Sequence, residues 1–156
     1  METLINHPIF TKGLVLDGVI HGLNHWQRVE KFGLMIADTN NADKKVVSLF
    51  AYLHDARRLN DFDDVDHGLR AAQLLDELID AGLIILDNKQ YQQLRLALAC
   101  HNLDNAKSND QTVLTCWDAD RLDLWRDDIM PNPNFMFTNY GKSMEMIDFA
   151  RRLNNK

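Results

Sequence analysis

The sequence predicts an all-α protein that forms one domain, a bundle of five to seven helices. Apolar residues recur at helical spacing through most of the chain, and no useful length of it alternates between apolar and polar residues as a strand does. No repeat, linker or low-complexity stretch divides the 156 residues. A chain of this length is enough for one hydrophobic core, so we expect residues 1–156 to form a single domain.

The first part of the chain contains two predicted helices. Before them, little pattern appears beyond a turn at Asp17-Gly18. Helical spacing then extends over residues 20–38, with apolar side chains at Leu23, Trp26, Val29, Phe32, Leu34 and Ile36. The second helix is expected at residues 42–57, and Asn41 or Asp43 is its candidate N-cap.

Four further helices follow by the same criterion. An acidic, turn-rich connector at residues 60–66 leads into the third helix, and Gly82 stands where a helix C-terminus favours glycine. Pro131 and Pro133 interrupt the chain before the last helix. The predicted bounds are residues 66–81, residues 88–101, a segment starting near residue 110, and residues 140–153.

Composition excludes several classes of function. The chain is 46% hydrophobic and 26% charged, which is ordinary for a globular domain, and its net charge of −6 disfavours binding to a nucleic acid polymer or an anionic membrane. Cys100 and Cys116 give no disulfide framework, and no signal peptide or membrane span is apparent. We therefore expect a cytoplasmic protein without a membrane partner; its oligomeric state is left open.

An adjacent His-Asp pair, His54-Asp55, ends the apolar run at residues 46–53. Imidazole and carboxylate are the commonest ligands without sulfur for a divalent metal. Neighbours on a helix lie only about 100° apart, so both side chains can approach one ion. The pair is flanked by His21-Gly-Leu-Asn-His25-Trp upstream and by Cys116-Trp-Asp-Ala-Asp120-Arg-Leu-Asp123 downstream. The order of these motifs predicts a metal site built from several helices.

This order resembles the HD superfamily of metal-dependent phosphohydrolases, over about residues 20–125. The resemblance implies an HD-type helical bundle in which His25, His54, Asp55 and Asp120 bind a divalent metal. Asp120 is favoured because it is the Asp of Ala-Asp-Arg-Leu. Asp118 and Asp123 are nearby rivals, although Asp118 points about 200° away from Asp120 on a helix.

Some HD proteins carry two metals, with ligands in the order His, His-Asp, His, His, Asp. The chain fits that order when His67 and His101 are included. The resemblance therefore extends the expected ligand set to six residues and the expected content to one or two ions. The alternative is that His67 and His101 contact a substrate phosphate as single donors.

The closest resemblance is to a group of small bacterial HD-domain proteins without an assigned substrate. The shared motifs are His-Gly-x-x-His-Trp-x-Arg-Val at residues 21–29, Phe-Ala-x-x-His-Asp-x-x-Arg-x-Asn-Asp at 50–61, His-Gly-x-Arg-Ala-Ala at 67–72 and Cys-Trp-Asp-Ala-Asp-Arg-Leu-Asp-Leu at 116–124. Guanosine tetraphosphate hydrolases have acidic residues where this chain has Arg58 and Leu59, and the 5′-nucleotidase branch has Glu at the position of Arg58. The first activity is thereby disfavoured. For the second, the residue that would assist proton transfer is missing, so the general acid is left unassigned. The loop after His101 has Asn102-Leu103-Asp104-Asn105, where Thr and Gly are expected in the small bacterial HD-domain proteins.

We expect a hydrolase, a phosphomonoesterase or phosphodiesterase, that acts on a small phosphorylated molecule such as a nucleotide. Asp55 is expected at the centre of the reaction, and Asp61, then Asp118, is the candidate general acid. The residue types suit Mn, Mg, Fe, Co, Ni or Zn. The candidate phosphate ligands are Arg57, Arg58, Arg28 and Arg121, although Arg121 can instead orient a carboxylate ligand. The alternatives are a di-iron oxygenase and a sensor that binds metal or nucleotide without catalysis.

Overall fold

The computed structural model describes residues 2–11 and 20–154, and the turn predicted at Asp17-Gly18 lies outside them. Within these two ranges the chain is helical and has no strand, which confirms the all-α prediction. Six of the helices have ten or more residues. The elements are α1 Glu2–Ile5, α2 Pro8–Thr11, α3 Leu23–Asn40, α4 Lys44–Leu53, α5 His67–Asp80, α6 Asn88–Cys100, α7 Gln111–Leu122, the 3₁₀ turns η1 Asp123–Asp127 and η2 Pro133–Phe135, and α8 Met144–Asn154.

Aspartates start three of these helices. The Asp43 carboxylate accepts hydrogen bonds from the backbone of Lys45 and Val46, and it, rather than Asn41, is the N-cap of α4. Asp87 forms a reciprocal capping box with Gln90 at the start of α6, and Asp110 caps α7. Each cap satisfies backbone N–H groups that the helix itself leaves unbonded, and each contributes about 1 kcal/mol.

Two helices are shorter than the sequence predicts. The helix predicted at residues 42–57 ends at Leu53, and residues 54–57 form turns in which Arg58 N–H donates to the Asp55 carbonyl. The last helix begins at Met144 rather than at residue 140, because the Ser143 hydroxyl accepts a hydrogen bond from Met146 N–H and donates one to the Tyr140 carbonyl. At the first place the His54 imidazole also donates to the Ala51 carbonyl, so a local side chain occupies a helical acceptor or donor at both ends.

Helix α4 lies at the centre of the bundle and packs against α3, α6 and α7. Helix α5 packs on α6, and α8 packs on the turn η1. Large side chains fill the space between them, and Trp117 Nε1 donates to the Ala97 carbonyl at 3.0 Å across the contact of α7 with α6. No helix in the described part of the chain has the length and apolar character needed to cross a bilayer.

Gly33 allows α3 to lie close to α4 and α7. A Cβ atom at this position would lie 2.5 Å from Cγ1 of Val47 on α4 and 3.3 Å from Cβ of Ala119 on α7. The first distance is too short for two carbon atoms, so a side chain at residue 33 would force α3 away from α4. The glycine is therefore required by packing and not by backbone conformation.

We expect Gly33→Ala to lower the melting temperature, with a loss of about 1–3 kcal/mol in the free energy of unfolding because the core is overpacked. Helix propensity alone predicts the opposite sign, a gain of about 1 kcal/mol. Gln92→Ala on the exposed face of α6 serves as the control and should leave the melting temperature nearly unchanged. A stabilised Gly33→Ala protein would contradict the close packing.

Candidate metal centre

Side chains from the ends of five helices meet at one end of the bundle. His25 lies in the first turn of α3, and His67 is the first residue of α5. His54 and His101 directly follow the last residues of α4 and α6, while Asp120 lies in the last turn of α7. Five of the six predicted metal ligands are buried, and Asp120 is partly exposed. The structure thus brings all six predicted ligands together, with Asp55 among them.

Helix C-termini orient two of the imidazoles. The last carbonyl groups of a helix have no N–H partner within the helix. His54 turns back so that Nδ1 donates to the carbonyls of Ala51 and Phe50, at 3.0 and 3.2 Å, and His101 Nδ1 donates to the Leu98 carbonyl at 2.8 Å. Each ring therefore points its Nε2 atom away from its own helix.

The other two imidazoles, of His25 and His67, are also oriented by hydrogen bonds from Nδ1 to oxygen atoms. His25 Nδ1 donates to Asp123 Oδ2 at 2.7 Å, and His67 Nδ1 donates to the Asp64 carbonyl. Carbonyl and carboxylate oxygens only accept hydrogen bonds, so all four Nδ1 atoms carry the proton in the neutral ring. All four Nε2 atoms are then bare electron-pair donors, the state in which histidine binds a metal.

The first donor group contains His25, His54 and Asp120. Nε2 of His25 lies 3.0 Å from Nε2 of His54, and Oδ1 of Asp120 lies 3.5 and 3.6 Å from these two nitrogens. Oδ2 of Asp55 lies 3.5 Å from His25 Nε2 and 3.4 Å from His54 Nε2. Four donor atoms are thus grouped around one point.

The second donor group contains His67, His101 and the other oxygen of Asp55. Oδ1 of Asp55 lies 3.4 Å from His67 Nε2 and 3.7 Å from His101 Nε2, and the two nitrogens are 2.8 Å apart. The carboxylate of Asp55 therefore faces one imidazole pair with each of its oxygens. Gly68 permits this arrangement, since a Cβ there would lie 2.6 Å from Asn102 Oδ1 and 2.8 Å from the Leu98 carbonyl oxygen.

These distances fit divalent metal ions. Ligands about 2.1 Å from a metal are about 3.0 Å apart at right angles and about 3.4 Å apart at tetrahedral angles. In each imidazole pair, two lone pairs point at each other across 3.0 or 2.8 Å, which is unfavourable unless a cation lies between them. The donor set of four imidazoles and two carboxylates without a thiolate admits several first-row metals.

No protein-family model and no curated protein sequence matches the chain. The structure is similar to the crystal structure of a predicted HD superfamily hydrolase from an uncultured Thermotogales bacterium. The TM-score is 0.70 at 21% sequence identity, and the match covers 97% of this chain and 85% of the other. The chain has the HD-domain fold.

The fold concentrates negative charge and imidazoles in one buried place. Burial opposes ionisation of Asp55, but His54, followed by the His101 and His25 imidazoles beside it, lowers its pKa well below the usual value. Burial also opposes ionisation of Asp120, and His54, His25 and Arg126 outweigh it and lower its pKa to about 2. Both carboxylates are therefore ionised and ready to bind a cation at neutral pH.

The two imidazole pairs differ in their affinity for protons. Burial, followed by the charge of His101, lowers the pKa of His67 to about 4. Burial acts in the same direction on His54, but Asp55 and Asp120 overcome it and raise its pKa. At neutral pH His67 is thus an uncharged ring. At His54, a proton competes more strongly with a metal ion for the ring nitrogen.

Asp123 has a role that the sequence pattern did not assign. The sequence offered Asp123 as an alternative to Asp120 as a metal ligand. The structure instead places Asp123 behind His25, where its carboxylate also accepts hydrogen bonds from Arg28 Nε at 2.6 Å and Nη2 at 2.8 Å. Asn154 Nδ2 donates to it at 3.0 Å. A buried carboxylate behind a ligating imidazole fixes the ring and makes its Nε2 a stronger donor. Its position three residues after Asp120 was the only signal in the sequence.

Asp118, the second candidate general acid, lies outside both donor groups. Its buried carboxylate accepts hydrogen bonds from the backbone of Phe137 and Thr138 and from the Thr138 hydroxyl at 2.7 Å. The reason is helix geometry, since Asp118 and Asp120 point in nearly opposite directions. Asp61 is instead held at the rim, where its Oδ1 accepts from His21 Nδ1 at 2.9 Å.

The four predicted phosphate-binding arginines are dispersed. Nη1 of Arg58 lies 3.2 Å from His67 Nε2 and 3.6 Å from Asp55 Oδ1, directly beside the second donor group. Arg57 points elsewhere: its guanidinium donates to the carbonyls of Ile9 and Phe10 and to the Glu77 carboxylate. Arg28 is bonded to Asp123, and Arg121 stacks on Phe137.

Arg126 is a cation that the sequence pattern missed. Nη1 of Arg126 donates to the Asp123 carbonyl at 3.1 Å. Its positive charge helps to lower the pKa of Asp120 and opposes the rise in the pKa of His54. It lies in η1, after the motif that ends with Asp123, and no periodicity singles it out. Only the packing of η1 against α3 and α7 brings it to the centre.

We predict that the protein binds two divalent ions per chain and that Asp55→Ala abolishes stable binding of both, because each donor group loses an oxygen. His101→Ala should remove the second ion and retain the first. Metal content per chain after dialysis against Mn²⁺ or Zn²⁺ measures both effects. His7→Ala, outside the donor groups, is the control, and wild type without metal would refute the assignment.

We predict that Asp118→Ala lowers the melting temperature equally with and without added metal. Removal of the carboxylate leaves three buried donors, the N–H groups of Phe137 and Thr138 and the Thr138 hydroxyl, without their acceptor, at a cost of about 1–3 kcal/mol. Metal content should stay at the wild-type value. Loss of metal binding in a protein that still melts cooperatively would show that Asp118 belongs to the centre after all.

Proposed function

We propose that this protein is a metal-dependent phosphohydrolase that acts on a small phosphorylated substrate. The observation that carries the proposal is the carboxylate of Asp55, which faces one pair of imidazole donors with each oxygen. The similar Thermotogales protein is a predicted HD superfamily hydrolase, which supports the reaction class. Neither observation names the ester that is cleaved.

Divalent metals, when bound, polarise phosphoryl oxygens and lower the pKa of a bound water toward about 7. The chain would hold them through His25, His54, Asp55 and Asp120 in one group and through Asp55, His67 and His101 in the other. Asp123 keeps His25 in the ligating tautomer, and the helix carbonyls do the same for His54 and His101. These groups are in place before substrate arrives, which lowers the cost of organising charge during reaction.

Arg58 is the candidate for binding the phosphate. Its Nε and Nη2 donate to the carbonyls of Asn60 and Phe62, which fixes the guanidinium while Nη1 faces the second donor group. A fixed guanidinium next to the reacting phosphoryl group neutralises the charge that develops on its oxygens. Arg126 adds a second positive charge behind the first donor group.

Asp61 and His21 are the candidates for proton transfer at the rim. Their side chains retain 25% and 12% of their exposure, so both can contact water and a leaving group. Burial lowers the pKa of His21, which is therefore neutral at pH 7 and donates from Nδ1 to Asp61 Oδ1. We propose that the protonated Asp61 carboxyl donates its proton to the leaving oxygen and is reprotonated by water after the product departs.

An open cleft lies beside His67 of the second donor group. It has a volume of about 280 Å³, and its walls are Arg58, Phe62, Asp63, Asp64, Val65, His67, Asn102 and Leu103. Asn102 Nδ2 donates to the Val65 carbonyl at 2.8 Å and ties the two sides of the cleft together. The space suits a small organic phosphate, and the negative protein charge disfavours a nucleic acid polymer.

A di-iron oxygenase is the second candidate, because the same six donors in two groups around Asp55 can also hold two iron ions. A sensor that binds metal or nucleotide without turnover is the third. Iron content with a mixed-valence spectroscopic signal and oxygen consumption would favour the oxygenase. Metal or nucleotide binding without any product would favour the sensor.

We predict phosphate release from a panel of sugar phosphates, aryl phosphates, mononucleotides and cyclic nucleotides when Mn²⁺ or another divalent metal is added. Asp55→Ala should be inactive. Arg58→Gln should reduce kcat/KM by about 100-fold, because one preorganised donor to the transition state is lost.

Arg152→Gln, an exposed change on α8, is the matched control and should leave both kcat and KM unchanged. Chelator should abolish the activity, and added metal should restore it. Release of phosphate that is unaffected by Asp55→Ala would show that another site, or a contaminant, performs the reaction.

A further inference from the structure

A second cavity, of about 780 Å³, lies on the other side of the loop that follows His101. Asn102 and Leu103 line the cleft at the metal centre, whereas the next four residues, 104–107, line this cavity. Its opposite wall is formed by the chain between residues 129 and 137, and its floor by Arg121 and Leu124. None of the six metal-site donors lines it.

The walls combine apolar side chains with a few polar ones. The apolar surface comes from Leu124, Ile129, Met130, Phe135, Met136 and Phe137. Ile129, Met130 and Phe135 are 52%, 51% and 69% exposed, and together they give the cavity an apolar rim. The charged residues are Arg121, Lys107 and Asp104, and the amide side chains are Asn105, Asn132 and Asn134. Cations thus outnumber carboxylates by two to one.

Arg121 lines this cavity, and its guanidinium has one buried donor without an acceptor. Its Nη1 atom is buried and has no hydrogen-bond partner, while its guanidinium carbon lies 4.9 Å from the centre of the Phe137 ring. A buried charged N–H group without an acceptor costs about 1–3 kcal/mol or more. Burial raises the pKa of the nearby Asp118 carboxyl, and the charge of Arg121 only opposes this rise. The Asp118 carboxylate already accepts hydrogen bonds from the backbone of residues 137 and 138.

The wall that faces Arg121 is held in place by the core. The Phe137 backbone N–H donates to Asp118 Oδ1 at 2.9 Å, and Asp118 is itself fully buried on α7. Pro131 and Met136 are buried on either side of the exposed Phe135. A cation stacked on an aromatic ring and fixed beside apolar side chains is preorganised for a ligand with complementary parts.

We infer that this cavity is a binding site for a small organic anion with an aromatic or apolar body. The anionic oxygens accept hydrogen bonds from Arg121, with Lys107 adding positive charge, and the body packs against Phe137 and Met130. An arginine fork matches the oxygens of a carboxylate or a phosphate. The site is separate from the metal centre and does not depend on the proposed hydrolysis.

Phenylphosphonate is the probe, because its carbon–phosphorus bond resists hydrolysis and it combines a ring with a phosphate-like anion. Titration of chelator-treated protein, followed by calorimetry, keeps the metal centre from binding the anion. We expect one phenylphosphonate per chain, methylphosphonate at least about tenfold weaker because the apolar contact is missing, and no binding of the cation benzylamine.

Arg121→Met should lower the affinity for phenylphosphonate at least about tenfold, as expected when a charged hydrogen bond is lost. Arg152→Met is the matched control and should bind as wild type does. Without ligand, Arg121→Met should melt no lower than wild type, because it removes a buried donor that has no acceptor. Phe137→Leu should reduce the affinity for phenylphosphonate and leave that for methylphosphonate unchanged.

Three outcomes would overturn the inference. They are the absence of phenylphosphonate binding, equal affinity of wild type and Arg121→Met, and loss of binding in Asp55→Ala, which would assign the anion to the metal centre. All measurements are made without metal, so failure of this site leaves the hydrolase proposal untouched. Failure of the hydrolase assay likewise leaves this site untouched.

Discussion

The structure depends on four hydrogen bonds from imidazole Nδ1 atoms to oxygens that can only accept. These bonds fix His25, His54, His67 and His101 in one tautomer and direct every Nε2 toward Asp55. Without them each ring could turn or donate from Nε2, and the two imidazole pairs would form ordinary hydrogen bonds. With them, four lone pairs and two carboxylates face one another in a buried space, which a cation stabilises and water cannot fill equally well.

Helix ends supply this arrangement at little cost to the fold. Two of the acceptors are carbonyl groups that the C-termini of α4 and α6 leave without partners, so the imidazoles satisfy the helix while they are oriented. The glycines allow the helices to approach: Gly33 brings α3 against α4 and α7, and Gly68 brings α5 against the end of α6. The donor groups are therefore a consequence of how the bundle closes.

Much of this was predictable from the sequence because it is local. Apolar periodicity identified the helices, and the angle between residues 118 and 120 on a helix separated the metal-site aspartate from the one that anchors residues 137 and 138. Helix ends were less predictable, since His54 and Ser143 stop or start a helix through their side chains. The domain and ligand-role predictions remain predictions, although the six donors do converge.

The contacts that the sequence did not predict join residues that are distant in the chain. Asp123 reaches His25 across 98 residues, and the guanidinium of Arg57 bonds to carbonyls 47 and 48 residues away. A single sequence carries no periodicity that links such positions. Arg126 is similar, because its charge acts on the centre only through the packing of η1. The same limit applied to the cavity at Arg121, whose walls come from three separate segments.

A crystal structure of Mn²⁺-loaded protein with anomalous scattering tests most directly whether the carboxylate of Asp55 joins two metal ions. We expect two anomalous peaks about 3.5–4 Å apart, one bound to Asp55 Oδ2 beside His25 and His54, the other to Oδ1 beside His67 and His101. A single peak in saturating metal, or two peaks with Asp55 turned away from both, would contradict it.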